Sequence, residues 1–357
     1  MKKLVLLVFL LAAPGLIWSQ ARKYSNAFLE IGVDARAMAM SQAVVASTHD
    51  VNAGYWNPAG LAGLESWEAS AMHASYFASI AQYDYLSYAQ PLPNKGALGV
   101  SLIRFGVDDI LNTTQLINEQ GEVDYDRITR FSAADYALLA SYARQAPGTP
   151  GLRYGGNVKI VYRQIGKFAN AIGFGFDLGL QYRRGPWQMG AMLRDATTTF
   201  NAWRIDEGQL ADVFDETGNE LPTENLELTL PRLLLGLGRS FSLGDDYHLH
   251  TEMNLDFSFG GRTNTLVSSE VFNMSPNLGV ELDFRRFVFL RLGAGQFKRL
   301  RRFSGAEYIT VQPNLGLGFR YRGFQIDYAL TDIAGASGAF YSNVFSLKFN
   351  FAEFNDS

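Results

Sequence analysis

The chain has 357 residues, among them 35 Gly, 26 Phe, 17 Tyr and no Cys, and its 31 Lys and Arg against 35 Asp and Glu give a formal charge of −4. The absence of Cys excludes a disulfide scaffold, a thiolate metal site, a cysteine nucleophile and a lipidated Cys. A pI near 5.7 argues against a nucleic-acid partner, whose binding needs clustered Lys and Arg.

The first twenty-one residues open with Lys2 and Lys3, continue through an apolar run from Leu4 to Ala13, and end Ser19, Gln20, Ala21. That order is a secretory signal peptide cut after Ala21. The run is too short for a membrane span, and Pro14 and Gly15 interrupt it. The expected organisation is a signal peptide over 1–21, a plug over 22–66 and a β-barrel over 67–357.

Residues 28–64 read FLEIGVDARAMAMSQAVVASTHDVNAGYWNPAGLAGL. The small residues allow close packing against a wall. Asn57-Pro58-Ala59-Gly60 is turn chemistry, because Pro58 fixes one dihedral and Asn57 can bond nearby backbone.

From residue 68 onward, polar and apolar residues alternate. Candidate strands are 68–76, 83–92, 97–105, 134–144, 153–164, 172–183, 187–195, 229–241, 248–259, 277–285, 287–296, 308–322, 324–331 and 343–351. In 172–183, Ile172, Phe174, Leu178 and Leu180 oppose Gly173, Asp177, Gly179 and Gln181. A strand sends successive side chains to opposite faces. In a barrel in lipid the apolar face points outward and the polar face lines the lumen. A soluble sandwich would bury the apolar face instead. The signal peptide, the even strand count and the 13% aromatic content favour an all-β, 14-stranded antiparallel transmembrane outer-membrane β-barrel with an N-terminal plug.

The connections alternate as well. Short turns are expected at 93–96, 146–151, 184–186, 242–247, 285–286 and 322–323, and longer links at 77–82, 106–132, 166–170, 196–228, 260–276, 297–307 and 332–342. Outer-membrane barrels have short periplasmic turns and long extracellular loops, so both ends of the barrel domain lie on the periplasmic side. Tyr182, Trp187, Phe241, Tyr247, Phe284, Phe287, Tyr321 and Phe324 near the short turns would form an interfacial girdle. The last strand presents Phe345, Leu347, Phe349 and Phe351, a pattern that resembles the outer-membrane assembly signal.

The plug segment resembles the N-terminal hatch of the FadL-like (long-chain fatty-acid transporter) superfamily, in particular its PorV/PorQ family. The matching residues are Ala35, Arg36, Met40, Ala43, Asp50, Trp56, Asn57, Pro58 and Ala59. Two departures stand out. Ser41 and Gln42 replace the Gly pair of many relatives, so a different local backbone is expected there. Gly60 follows Pro58-Ala59 where the type IX secretion shuttle tends to carry Lys, which speaks against identity with the shuttle itself. The PorV/PorQ resemblance implies a non-enzymatic accessory subunit of an outer-membrane secretion, assembly or surface-attachment machine, partnered by a larger protein complex or a secreted client. The wider superfamily implies instead a channel for hydrophobic molecules such as long-chain fatty acids. Either role places the chain in the bacterial outer membrane, among lipid and lipopolysaccharide, with no cofactor.

The inferred lumen face carries Asp177, Gln181, His248, His250, Glu252, Asn254, Asp256, Glu281, Asp283, Arg291, Asn314 and Arg320. An apolar ligand path needs few polar groups, so this face favours a plugged, hydrogen-bonded interior. Lys298, Arg299, Arg301 and Arg302 crowd one loop, a candidate surface for a partner or for lipopolysaccharide phosphates. Loops 106–132 and 196–228 are acidic and can neutralise it. His248, His250 and Glu252 share a face, but such trios are more often lumen lining than metal ligands. No catalytic motif appears; a barrel acyl-hydrolase would need a Ser, His and Asp set that nothing in the sequence nominates.

Overall fold

In a computed structural model the described residues are 25–77, 79–93, 95–117, 121–206, 208, 226–302, 304–333 and 342–355. The expected signal peptide lies outside them. Among the described residues seventeen strands follow the plug: β1 (Glu68–Tyr76), β2 (Ala81–Leu92), β3 (Gly96–Asn112), β4 (Thr129–Gln145), β5 (Leu152–Ile165), β6 (Ala169–Arg184), β7 (Trp187–Arg194), β8 (Thr199–Ile205) and β9 (Leu226–Thr229). After them come β10 (Arg232–Leu243), β11 (Tyr247–Ser258), β12 (Val267–Ser268), β13 (Asn273–Phe284), β14 (Val288–Arg301), β15 (Glu307–Tyr321), β16 (Phe324–Thr331) and β17 (Ser342–Asn350).

Every pairing is antiparallel, and β1 pairs with both β2 and β17, which closes a fourteen-stranded barrel. Closure leaves no unpaired edge, the condition for a sheet to sit in hydrocarbon. The strands β8, β9 and β12 are additions to the expected fourteen. β6 pairs with β7 through Leu178–Arg184 and with β8 through Ala169–Phe174, so β7 and β8 are one stave broken at 195–198. The next stave, β9 with β10, breaks at 230–231, where Pro231 has no N–H to offer. That is why the expected strand 229–241 is divided.

The alternation sorts as expected: Ile172, Leu178 and Leu180 are exposed on the outer wall, while Asp177 and Gln181 are buried. At the short-turn end Tyr247 packs on Phe284, Phe287 on Phe319 and Phe324 on Phe349. Two links expected to be long are tight, since β1 ends at Tyr76 and β2 starts at Ala81, while β5 ends at Ile165 and β6 starts at Ala169. The last strand stops at Asn350, and Phe351 begins a short helix that stacks on Trp67, ring centroids 4.2 Å apart.

The core lies inside the barrel. The plug enters it as a 3-10 turn (Ala27–Glu30), helix α1 (Ala35–Ala39), helix α2 (Ala53–Trp56) and a second 3-10 turn (Pro58–Gly63). Helices this short are marginal alone. They hold because the wall supplies partners at every step.

Candidate functional site: the plugged lumen

The plug needs room for its backbone, and glycines on the lumen face make it. A Cβ on Gly316 would lie 2.3 Å from the Ala39 Cβ, one on Gly293 would lie 2.5 Å from the Ala39 carbonyl oxygen, and one on Gly190 would lie 2.4 Å from that of Val45. The high glycine content therefore has a packing cause on the lumen face. Ala35, fully buried, donates its N–H to Ser346 Oγ at 2.5 Å.

The Trp56-Asn57-Pro58-Ala59 signature is a fastening. Trp56 Nε1 donates to the Val33 carbonyl at 3.1 Å. Asn57 Nδ2 donates to the Val45 carbonyl at 3.0 Å and to that of Leu180 at 3.1 Å, while its Oδ1 accepts from the Ala59 N–H at 3.3 Å. One amide thus ties two turns of the plug to β6. Pro58 occupies the first position of its 3-10 turn, where a missing N–H costs nothing. A Cβ on Gly155 would meet the backbone of Pro58 and Ala59 within 2.9 Å.

Ser41 and Gln42 correct an expectation. Both take left-handed φ, 51° and 67°, so the turn keeps glycine-type geometry without glycine. A non-glycine residue pays roughly 1 kcal/mol for that. Hydrogen bonds offset it: Asn314 donates to Ser41 Oγ at 2.7 Å, Asn254 to the Gln42 carbonyl at 2.8 Å, and Gln42 Nε2 to the Ile31 carbonyl at 2.9 Å.

The charged lumen residues form chains that end on the plug. Arg36 Nε and Nη2 contact Glu281 at 2.8 and 3.1 Å, Arg291 contacts Glu281 at 2.5 Å and Asp327 at 2.6 Å, and Gln325 links Asp327 to Arg320. Lys348 reaches Asp50 at 2.5 Å. Glu252 accepts the N–H groups of Ala46 and Ser47 at 2.7 and 3.1 Å. Asp177 joins Lys159 and Asp195 beside the break in the seventh stave, and Asp256 joins Arg232 and, through it, Glu30. His250 contacts Glu252, but His248 contacts Asp283 instead. The trio that shares a face does not converge on one point.

One lumen sector departs from the polar expectation. Met72, Ala74, Tyr83, Tyr85, Ile103, Ala137, Leu139 and Val161, from β1 to β5, are buried against Phe28, Leu29, Val33, Tyr55 and Trp56 of the plug. Ile31, Tyr76 and Phe105 extend this cluster and are only partly buried. The lumen is thus divided, with apolar packing concentrated on β1 to β5 and charged anchoring on β5 to β7 and β10 to β17. The signal was present in the sequence, because β2 carries Tyr83 and Tyr85 on its inner face and Leu86 and Tyr88 on its outer face.

Outside, small Ala69 and Ala71 on β1 sit between Leu86 and Tyr88 on one side and Leu347 and Phe349 on the other, leaving an apolar groove of about 380 Å³. Next to it on the same outer face stands a polar row: His73 Nδ1 contacts Asp84 at 2.7 Å, and Arg104 contacts Asp84 at 3.5 Å and Asp108 at 3.3 Å. The basic loop expected at 297–307 is in large part strand. Lys298, Arg299 and Arg301 belong to β14 beyond a register shift, and only Arg302, over the Tyr308 ring at 5.3 Å, lies past its end. Arg299 and Glu307 are 3.9 Å apart and more than half exposed. Of the acidic loop 196–228, Asp206 and Glu227 are described, whereas Glu207, Asp212, Asp215, Glu216, Glu220 and Glu224 lie outside the described residues.

No family model matches the chain, and no curated protein is similar to it in sequence. Solved structures are. The Pseudomonas putida toluene transporter TodX superposes with a TM-score of 0.54 at 15% identity, covering 90% of this chain and 98% of that one. The Ralstonia pickettii toluene transporter TbuX gives 0.51 at 13%, with 90% and 98% covered. The monoaromatic hydrocarbon channel CymD gives 0.54 at 11%, again over 90% and 98%. The chain shares the barrel fold of these transporters and channels. At such identities the likeness extends to fold alone, so function has to be argued from the lumen.

Proposed function

We propose that this chain is an outer-membrane channel for small hydrophobic molecules, with the plug as its gate. The observation that carries the reading is the division of the lumen. On the β1 to β5 side, Phe28 and Leu29 of the plug occupy an apolar, aromatic-lined surface whose outer rim is Ile31, Tyr76 and Phe105. Withdrawal of those two side chains leaves an apolar surface edged by tyrosine hydroxyls, the combination that ligand sites use. The anchored side holds the rest of the plug in place. The toluene and monoaromatic hydrocarbon channels that share the fold support the same reading. The test is uptake of toluene by cells producing the chain: Phe28→Ala with Leu29→Ala should raise the rate several-fold over the wild type, and no uptake above cells lacking the protein would reject the channel.

A second reading, an accessory subunit of a secretion or attachment machine, is favoured by the His73–Asp84–Arg104 row. Charges on a lipid-facing wall are costly near mid-membrane, and a partner covering β1 to β3 would remove that cost. Purification in mild detergent tests it: a partner should co-purify with the wild type and be lost on Asp84→Ala with Arg104→Ala.

A further inference from the structure

We propose that the short-turn end of the barrel, at its periplasmic mouth, holds a binding site for a small oxyanion, a carboxylate or a phosphate. This goes beyond the channel reading and does not rest on it. The site is a cleft between the plug segment 46–49 and strands β5 to β7, lined by Ala46, Ser47, His49, Arg153, Arg183 and the amides Gln181 and Gln188; its enclosed space of about 10 Å³ takes one oxygen of an anion whose remainder lies in the open mouth beside the arginines.

The register explains the convergence. Arg153 pairs with Gln181 across β5 and β6, and Arg183 pairs with Gln188 across β6 and β7. Residues two apart on a strand share a face, so both arginines and both amides line one side. Among the described residues neither Arg153 nor Arg183 has an ion-pair partner within 4.0 Å. This contrasts with Arg36, Arg232 and Arg291, each of which meets at least one carboxylate within 2.8 Å. Two like charges side by side without a counter-ion are unfavourable, and an anion between them reverses the sign.

The second observation is Ser47. The residue is 5% exposed, it lines the cleft, and among the described residues its hydroxyl has no hydrogen-bond partner. A buried hydroxyl left unpaired costs about 1–3 kcal/mol, and an oxyanion in the cleft would accept from it. Its surroundings are built rather than loose. The Ser47 N–H is held by Glu252, and its carbonyl is 2.7 Å from His49 Nδ1, which leaves Nε2 of that ring free of this contact. Gln181 is spent on the Val45 and Thr48 carbonyls and so fixes the plug edge of the cleft. Gly63 clears space for the guanidinium, since a Cβ there would lie 2.3 Å from Arg153 Nη1. Planar guanidinium groups suit carboxylate and phosphate oxygens in two-point contacts.

The experiment is calorimetric titration of the full chain in a non-ionic detergent at constant ionic strength, with inorganic phosphate, benzoate and the neutral benzyl alcohol as probes. Phosphate or benzoate should bind saturably and benzyl alcohol should not. Arg153→Gln with Arg183→Gln should weaken binding at least tenfold, and Ser47→Ala, a smaller change, should weaken it several-fold. Heat-modifiable gel migration confirms that each variant is folded. Binding of benzoate without phosphate assigns the site to carboxylates, and binding of both assigns it to oxyanions generally. A wild type that binds neither anion, or a folded double variant that binds as tightly as the wild type, overturns the proposal.

Discussion

Arg36 and Glu281 meet in a two-point contact, Nε to Oε2 at 2.8 Å and Nη2 to Oε1 at 3.1 Å, and this pair joins the first helix of the plug to β13. Glu281 also receives Arg291 at 2.5 Å, so one carboxylate serves two guanidinium groups. Removing it leaves both cations partly uncompensated. Breaking a buried pair costs about 3–5 kcal/mol, while replacing the whole pair with apolar groups costs far less. Glu281→Gln should therefore loosen the plug, seen as faster proteolysis within 25–64, and Arg36→Leu combined with Glu281→Leu should be less harmful than Glu281→Leu alone. Equal damage from the single and double changes would argue against the pair as an anchor.

Gly316 and Ala39 give a steric test. Gly316→Ala places a methyl 2.3 Å from the Ala39 Cβ, and overpacking of this kind typically costs about 1–3 kcal/mol. Ala39→Gly in the same chain should restore part of that loss in the unfolding temperature. Strict additivity of the two changes would mean that the methyl groups do not meet.

Asn57 tests the signature. Its Nδ2 points at carbonyl oxygens of Val45 and Leu180, so a carboxylate of the same shape would face acceptors. Asn57→Asp should then destabilise the plug more than Asn57→Ala at neutral pH, and the order should reverse or level under acid, when the carboxyl becomes a donor. Thermal unfolding at two pH values reads this out.

Asp34 in the plug predicts a pH dependence. Burial lifts its carboxyl to about 6, with Asp327 and Asp50 adding to the rise and Lys348 and Arg36 opposing it. A carboxyl that binds its proton more tightly when folded makes the protein lose stability as pH rises from 3.8 to 6, and the loss is complete above that range. Its size is on the order of 3 kcal/mol. Asp34→Asn, which tolerates the left-handed φ of 72° at this position, should be more stable than the wild type at pH 7.5 and equal to it near pH 4. A variant no more stable at pH 7.5 would contradict the assignment.

Much of the barrel was legible because its physics is local. Period-two alternation placed Asp177, Glu252 and Arg291 on the lumen face. Partnering was not legible. Nothing near Glu252 in sequence announces that it caps Ala46 and Ser47, 206 and 205 residues away. The stave break at 195–198 escaped notice because the expected strand was carried on to Asp195, whose φ of 54° turns the chain aside. The apolar sector was missed for a related reason: inner and outer faces of β2 are both aromatic, so amplitude alone does not separate lumen from lipid. At Ser41 and Gln42 the residue types pointed away from a left-handed turn that Asn254 and Asn314 hold in place from the wall.

The central claim, that apolar molecules pass when the Phe28–Leu29 end of the plug withdraws, is tested most directly by pinning that end. Asn26 Nδ2 donates to Thr229 Oγ1 at 2.9 Å, and the chain has no native Cys. Asn26→Cys with Thr229→Cys can be bridged by a short, reducible bis-methanethiosulfonate linker. Toluene uptake should be near the wild-type rate before bridging, fall to the level of cells lacking the protein when bridged, and return on reduction. Uptake that never exceeds that background, or that is unchanged by the bridge, would contradict the account.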